Sequence, residues 1–105
     1  MSLPLEVTDA LKHLGANVRL ARVRRQMSQT ELALASKMTP KTLYGLESGN
    51  PGVSISKVLS ALWALGLLTD AFALANPDHD EHGKILELAR SPQRVRGPDP
   101  NENDF

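Results

Sequence analysis

The chain has 105 residues, 41% of them hydrophobic, with twelve basic and twelve acidic side chains and a formal net charge of zero, which is enough apolar material for one small core but not two. The absence of cysteine excludes a disulfide framework or thiolate metal site, and no apolar run approaches the ~20 residues of a membrane span. Zero net charge hides a polarity: residues 12–41 carry Lys12, Arg19, Arg22, Arg24, Arg25, Lys37 and Lys41 against Glu31 alone, whereas residues 76–105 carry four basic and seven acidic side chains.

No signal peptide precedes Leu11, so a cytoplasmic location is expected. Leu11, Leu14, Val18 and Ala21 recur at helical spacing and predict a first helix from Thr8 or Asp9 to Arg25. Ser28 with Glu31 three residues on forms a capping box that opens a second helix, with Leu32, Ala33 and Ala35 as its buried positions. Thr39 as N-cap and Pro40 at the first helical position open a third. Leu43 and Leu46 face inward, Gly49 ends the run and Pro51 prevents its continuation. Ser28 to Gly49 thus reads as two short helices joined by a tight turn, with Lys41, Thr42 and Tyr44 on the outer, N-terminal part of the second.

Ser54 caps a fourth helix, Ile55 to Leu65, stopped by Gly66. Thr69 or Asp70 opens a short fifth that contains Phe72 and ends near Asn76-Pro77. Val58, Leu59, Leu62, Trp63, Leu65, Leu67, Leu68, Phe72 and Leu74 are more than one buried stripe needs, so some of them must cover a partner. Trp63 suits core packing and interface equally.

After Pro77 the composition turns polar. DHDEHG reads as a hinge, KILELAR (residues 84–90) as a short amphipathic helix that needs a docking surface, and SPQRVRGPDPNENDF as disordered. His79 and His82 stand among Asp78, Asp80 and Glu81, but with no second ligand group they read as solvated hinge residues, and no metal is expected. His13 is a surface residue of the first helix. No phosphate loop, Ser-His-Asp set or buried carboxylate pair can be assembled, so neither an enzyme nor a cofactor is expected.

The strings S-Q-x-E-L-A and M-T-x-x-T-L-x-x-L-E-x-G, within a match from about Leu14 to Leu67, resemble the Xre/phage-repressor (Cro-type) helix-turn-helix family. The resemblance implies an all-α, five-helix, lambda-repressor-like DNA-binding bundle over residues 8–76, with residues 77–105 as hinge, short helix and polar C-terminal tail. It also implies that Gln29 holds a phosphate and braces a neighbouring base contact. Thr39, Pro40, Lys41 and Tyr44 fall on the groove-facing positions, and Arg22 and Glu47 match an ion pair between the first and third helices. Two residues depart from the pattern. Lys37 stands where the turn glycine is usual, and Gly45 replaces a polar or basic residue of the outer face, which removes one contact.

Placed on a two-helix reader, the basic cluster is expected to attract DNA phosphates, since a local face suffices when charges beyond about 8–10 Å are screened. Arg24 and Arg25 also complement a helix C-terminus, which leaves Arg19 as the phosphate contact. The expected DNA-binding set is Arg19, Ser28, Gln29, Thr39, Pro40, Lys41, Thr42, Tyr44 and Asn50, with Lys41 and Tyr44 on bases and Gln29, Thr42 and Asn50 on the backbone. The resulting reading is a transcriptional repressor, a nucleoid-associated homodimer on palindromic double-stranded DNA. Its dimer or partner interface is drawn from Trp63, Leu67, Leu68, Phe72, Leu74, Ile85 and Leu88. The stretch LESGNPGVSISKVLSALWALGL is similar to HipB-type antitoxins, which implies a HipA-like kinase toxin as partner. A phage or mobile-element regulator without a toxin shares the same bundle, and a protein-interaction module that has lost DNA readout is the alternative of another class.

Overall fold

The computed structural model describes residues 2–90, and those residues are all-helical, without strands. Helices α1 (Leu5–Arg24), α2 (Gln29–Ala35), α3 (Pro40–Glu47) and α4 (Ile55–Leu65) are followed by 3-10 turns at Leu68–Ala73 and Pro77–His79 and by α5 (Glu81–Arg90). Of these, residues 2–72 belong to one compact unit and residues 73–90 to a second.

In the first unit each of the four helices gives two side chains to the core: Val18 and Ala21, Leu32 and Ala33, Leu43 and Leu46, Ala61 and Leu65. The expected inward residues of α1 and α3 take these places, with Leu11 and Leu14 half-buried at the edge. Ala35, expected inside, is exposed. At about 100° per residue it points away from the Leu32–Ala33 face, while position 36 falls between the two. The buried seat therefore goes to Ser36, whose Oγ donates to the Leu32 carbonyl at 2.5 Å and so satisfies its own polarity.

The starts of α2 and α3 follow their caps. Ser28 Oγ accepts the Glu31 N–H while Glu31 Oε1 accepts the Ser28 N–H, and Thr39 Oγ1 accepts the Thr42 N–H at 3.1 Å. Helix α1 begins at Leu5, earlier than the Thr8 or Asp9 expected, because the Pro4 carbonyl accepts from the Val7 and Thr8 amides. Pro4, with its fixed φ, is the N-cap residue and no side chain caps this start. Helix α4 has the expected bounds, but the Ser54 hydroxyl pairs with that of Ser56 and makes no cap bond. The expected fifth helix is a 3-10 turn starting at Leu68.

All four helices of this unit close in the same way. Gln26, Lys37, Gly49 and Gly66 are left-handed, at φ 57°, 60°, 81° and 80°. In each case the left-handed residue bonds three residues back and its successor bonds five back: Met27 to Arg22, Met38 to Ala33, Asn50 to Gly45, Leu67 to Leu62. Met27, Met38 and Leu67 then fold onto the core. Asn50, the polar successor, stays exposed.

In the second unit Asn76 Oδ1 accepts the Asp78 N–H, Asp80 Oδ1 accepts the Gly83 N–H at 2.9 Å, and Lys84 Nζ donates to the Asp78 carbonyl. Helix α5 therefore begins at Glu81 and takes in half of the expected hinge. A side chain on Gly83 would require the Asp80 carboxylate to shift from its present place. Residues 91–105, where disorder was expected, lie outside the described residues.

Left-handed backbone costs a Cβ-bearing residue about 1 kcal/mol. Lys37→Gly is expected to raise stability by up to about that amount, and Gly66→Ala, whose new methyl meets nothing within 4 Å, to lower it similarly. Urea midpoints at unchanged slope provide the measurement.

Candidate nucleic-acid interface

Helix α3 is gripped at one end and free at the other. At its C-terminal end Glu47, almost fully buried, accepts Arg22 Nε at 2.7 Å on Oε2, and Arg22 Nη2 at 3.1 Å and Gln29 Nε2 at 3.0 Å on Oε1. Arg22 Nη1 donates to the Met27 carbonyl at 2.8 Å. One carboxylate thus ties α1, the start of α2 and the end of α3, and the paired charges have the further hydrogen bonds that burial demands. Hydrogen bonding to Glu47 raises the Arg22 pKa above its ordinary value, against burial, which lowers it. A base with a raised folded pKa keeps its stabilising contribution below the unfolded value and loses it only as pH rises through the folded one, so this charge is constant at any working pH.

Two glycines complete the grip. A Cβ on Gly15 would lie 2.5 Å from the carbonyl oxygens of Leu46 and Glu47, and one on Gly49 would lie 2.8 Å from Lys12 Cα. Helix α1 can approach the end of α3 this closely only without those side chains. Gly49 was legible from its role as a stop. Gly15 was missed, although a lone glycine in a helical pattern is itself a signal of close backbone approach.

The N-terminal half of α3 projects outward. Pro40 and Lys41 are exposed and Tyr44 is 63% exposed. Thr39 Oγ1, besides capping, donates to Thr42 Oγ1 at 3.0 Å, leaving Thr42 half-buried. Beside this stub lies a shallow depression of about 400 Å³ whose lining includes Lys41, Thr42, Gly45, Asn50, Ser54 and Lys57, with no acidic side chain. Gly45, expected on the outer face, is half-buried: a Cβ there would meet Val53 Cγ2 at 3.4 Å and Asn50 Cβ at 3.5 Å. It faces the loop after α3, because α3 leans on that loop. Lys57 was not among the expected residues. It sits on another helix, and nothing in the linear pattern brings it to Lys41.

The remaining expected contacts are placed separately. Ser28 is engaged in the capping box and Gln29 in the Glu47 network. Arg19 is exposed on α1 and is not part of the depression. Arg25 Nη1 donates to the Ala21 carbonyl of its own helix. Among the expected interface residues, Trp63 (57% exposed), Phe72, Leu74, Ile85 and Leu88 are exposed, whereas Leu67 packs against the core and Leu68 is half-buried.

Two short helices, capped at both starts and joined by a left-handed turn, with the second presenting its first turns to solvent, constitute a helix-turn-helix domain. The family model described as "Helix-turn-helix domain" matches residues 13–75, and the chain belongs to that family. It is 37% identical over 60 residues, covering 57% of this chain and 79% of the other, to an uncharacterized HTH-type transcriptional regulator, y4mF, of Sinorhizobium fredii (strain NBRC 101917 / NGR234). It is also similar to the crystal structure of the clp gene regulator ClgR from Corynebacterium glutamicum, at TM-score 0.53 and 30% identity, covering 89% of this chain and 96% of that one.

Removing one partner of a buried ion pair leaves the other charge unsatisfied, so Glu47→Ala is expected to cost about 3 kcal/mol. Gly15→Ala is expected to cost about 1–3 kcal/mol, despite alanine's better helix propensity, because backbone rather than a flexible side chain must move. Urea unfolding of both variants would check these values. A Gly15→Ala protein as stable as the parent would show that α1 and α3 do not meet this closely.

Proposed function

We propose that the protein is a sequence-specific DNA-binding transcriptional repressor that acts without enzymatic chemistry or cofactor, at the nucleoid in the cytoplasm, by occupying its operator. The observation that carries this reading is the outward N-terminal half of α3, where Lys41 and Tyr44 stand exposed while the other end is clamped by Gly15 and Glu47. Such a stub fits the major groove, where Lys41 is suited to guanine O6 and N7, and Tyr44 adds a large amphipathic contact. Thr39 and Pro40 shape the approach, and Thr42, Asn50, Ser28 and Gln29 hold the backbone, with Arg19 as a separate phosphate contact. The names of its relatives, a transcriptional regulator and a gene regulator, agree with this.

The working unit in this proposal is a homodimer on a palindrome, which spaces two copies of α3 by about 34 Å, one DNA turn. The exposed Trp63, Phe72 and Leu74 are apolar side chains that such a dimer would cover. Residues 8–76 read the DNA, and residues 77–105 supply the remaining contacts, Ile85 and Leu88 among them. The similarity of residues 46–67 to HipB-type antitoxins extends the proposal to a HipA-like kinase toxin, whose co-purification from the native host is the expected result.

The test is an anisotropy titration on duplexes selected from a random pool. Lys41→Ala is expected to cost about 1–3 kcal/mol and relax preference at one position. Arg19→Ala should weaken all sequences alike and reduce the salt slope by about 1 for each protomer of the dimer. If the affinity of the selected duplex were indifferent to both changes, the site assignment would be wrong.

A further inference from the structure

Resting on this DNA-binding reading, we propose that Gly45 opens a phosphate seat on the protein surface, in which Lys57 and the Asn50 amide hold one backbone phosphate of the duplex that α3 enters. Three observations meet there. The depression beside α3 is bounded by Lys41 and Lys57 and has no acidic side chain in its lining, so its field favours an anion. Its floor is bare at residue 45: a side chain at this position would begin 3.4–3.5 Å from Val53 and Asn50 and extend into the space.

The third observation is the orientation of Asn50. Its Oδ1 accepts the Gly52 N–H at 2.7 Å, which fixes the amide's sense, so that the opposite end carries the two N–H donors. That end, Nδ2, stands 3.7 Å from where a Cβ of Gly45 would be. A donor pair therefore faces the floor of the notch, whose lining also includes Lys57 and Ser54. A phosphodiester supplies acceptor oxygens and negative charge together, whereas a base edge presents fixed and mixed donors and acceptors. The glycine that looked like a lost contact becomes, in this reading, the vacancy that lets the DNA backbone approach.

Two changes test this, one that fills the seat and one that removes its charge. Gly45→Leu replaces glycine inside a helix and is expected to leave the thermal midpoint equal or higher, yet to weaken binding to the selected duplex. Lys57→Gln should leave the order of preference among sequences unchanged and reduce the slope of log affinity against log salt by about 1.8, roughly 0.9 for the one phosphate held in each half-site by the dimer. Walking a single neutral methylphosphonate along the duplex is expected to find one position in each half-site that weakens the parent protein clearly more than it weakens Lys57→Gln. The same salt slope for Lys57→Gln as for the parent, or no such position, overturns the seat while the DNA reading stands. A parent protein that selects no duplex at all overturns both. Inorganic phosphate that competes more strongly than chloride at equal ionic strength, for the parent but not for Lys57→Gln, would confirm the seat as an anion site independently of DNA geometry.

Discussion

A single carboxylate organises the first unit. Glu47 receives Arg22 from α1 through two parallel hydrogen bonds and Gln29 from the start of α2, so that three helices share one buried anchor. The core it accompanies is small, with two buried apolar side chains from each of four helices. Hydrophobic burial drives collapse but is non-directional. The direction comes from the guanidinium fork, which fits its partner in one plane, and from Gly15, which permits α1 to reach the backbone of α3. Together they set the angle at which α3 leaves the body of the protein.

The capped starts of α2 and α3 were legible in the sequence, whereas α1 begins three residues ahead of the expected Thr8. Ser28 with Glu31, and Thr39 with Pro40, are local signals whose hydrogen bonds form within four residues, and the structure contains them where the spacing places them. The ends are a different matter. Gly49 and Gly66 announce a left-handed residue by composition, but Gln26 adopts the same conformation with no such sign, and Lys37 does so in a position that only resemblance suggested. What holds them there is tertiary: Met27 and Met38, the residues after them, pack on the core, and that packing outweighs a local cost of about 1 kcal/mol. Ala35 was misplaced for a related reason, since a hydroxyl that bonds back to its own helix can occupy a seat that an apolar count assigns elsewhere.

The candidate site divides along the same line. Lys41, Thr42 and Tyr44 were readable because they belong to one helix and its period. The side chain of Lys57 and the bare floor at Gly45 were not, because they come together only through the turn after α3, where the successor to the left-handed residue is the polar Asn50 rather than another apolar plug. That exchange keeps residue 50 at the surface. It also turns a motif used three times to seal the interior into one that equips the exterior.

The separation of α3 into a clamped half and a projecting half has an evolutionary corollary. Side chains that hold the helix and side chains that meet the outside world alternate along only eight residues, yet few of them serve both ends. Pro40, Lys41 and Tyr44 are exposed and can therefore be exchanged without repacking the interior, so the outer face of this helix is free to vary while foldedness stays constant.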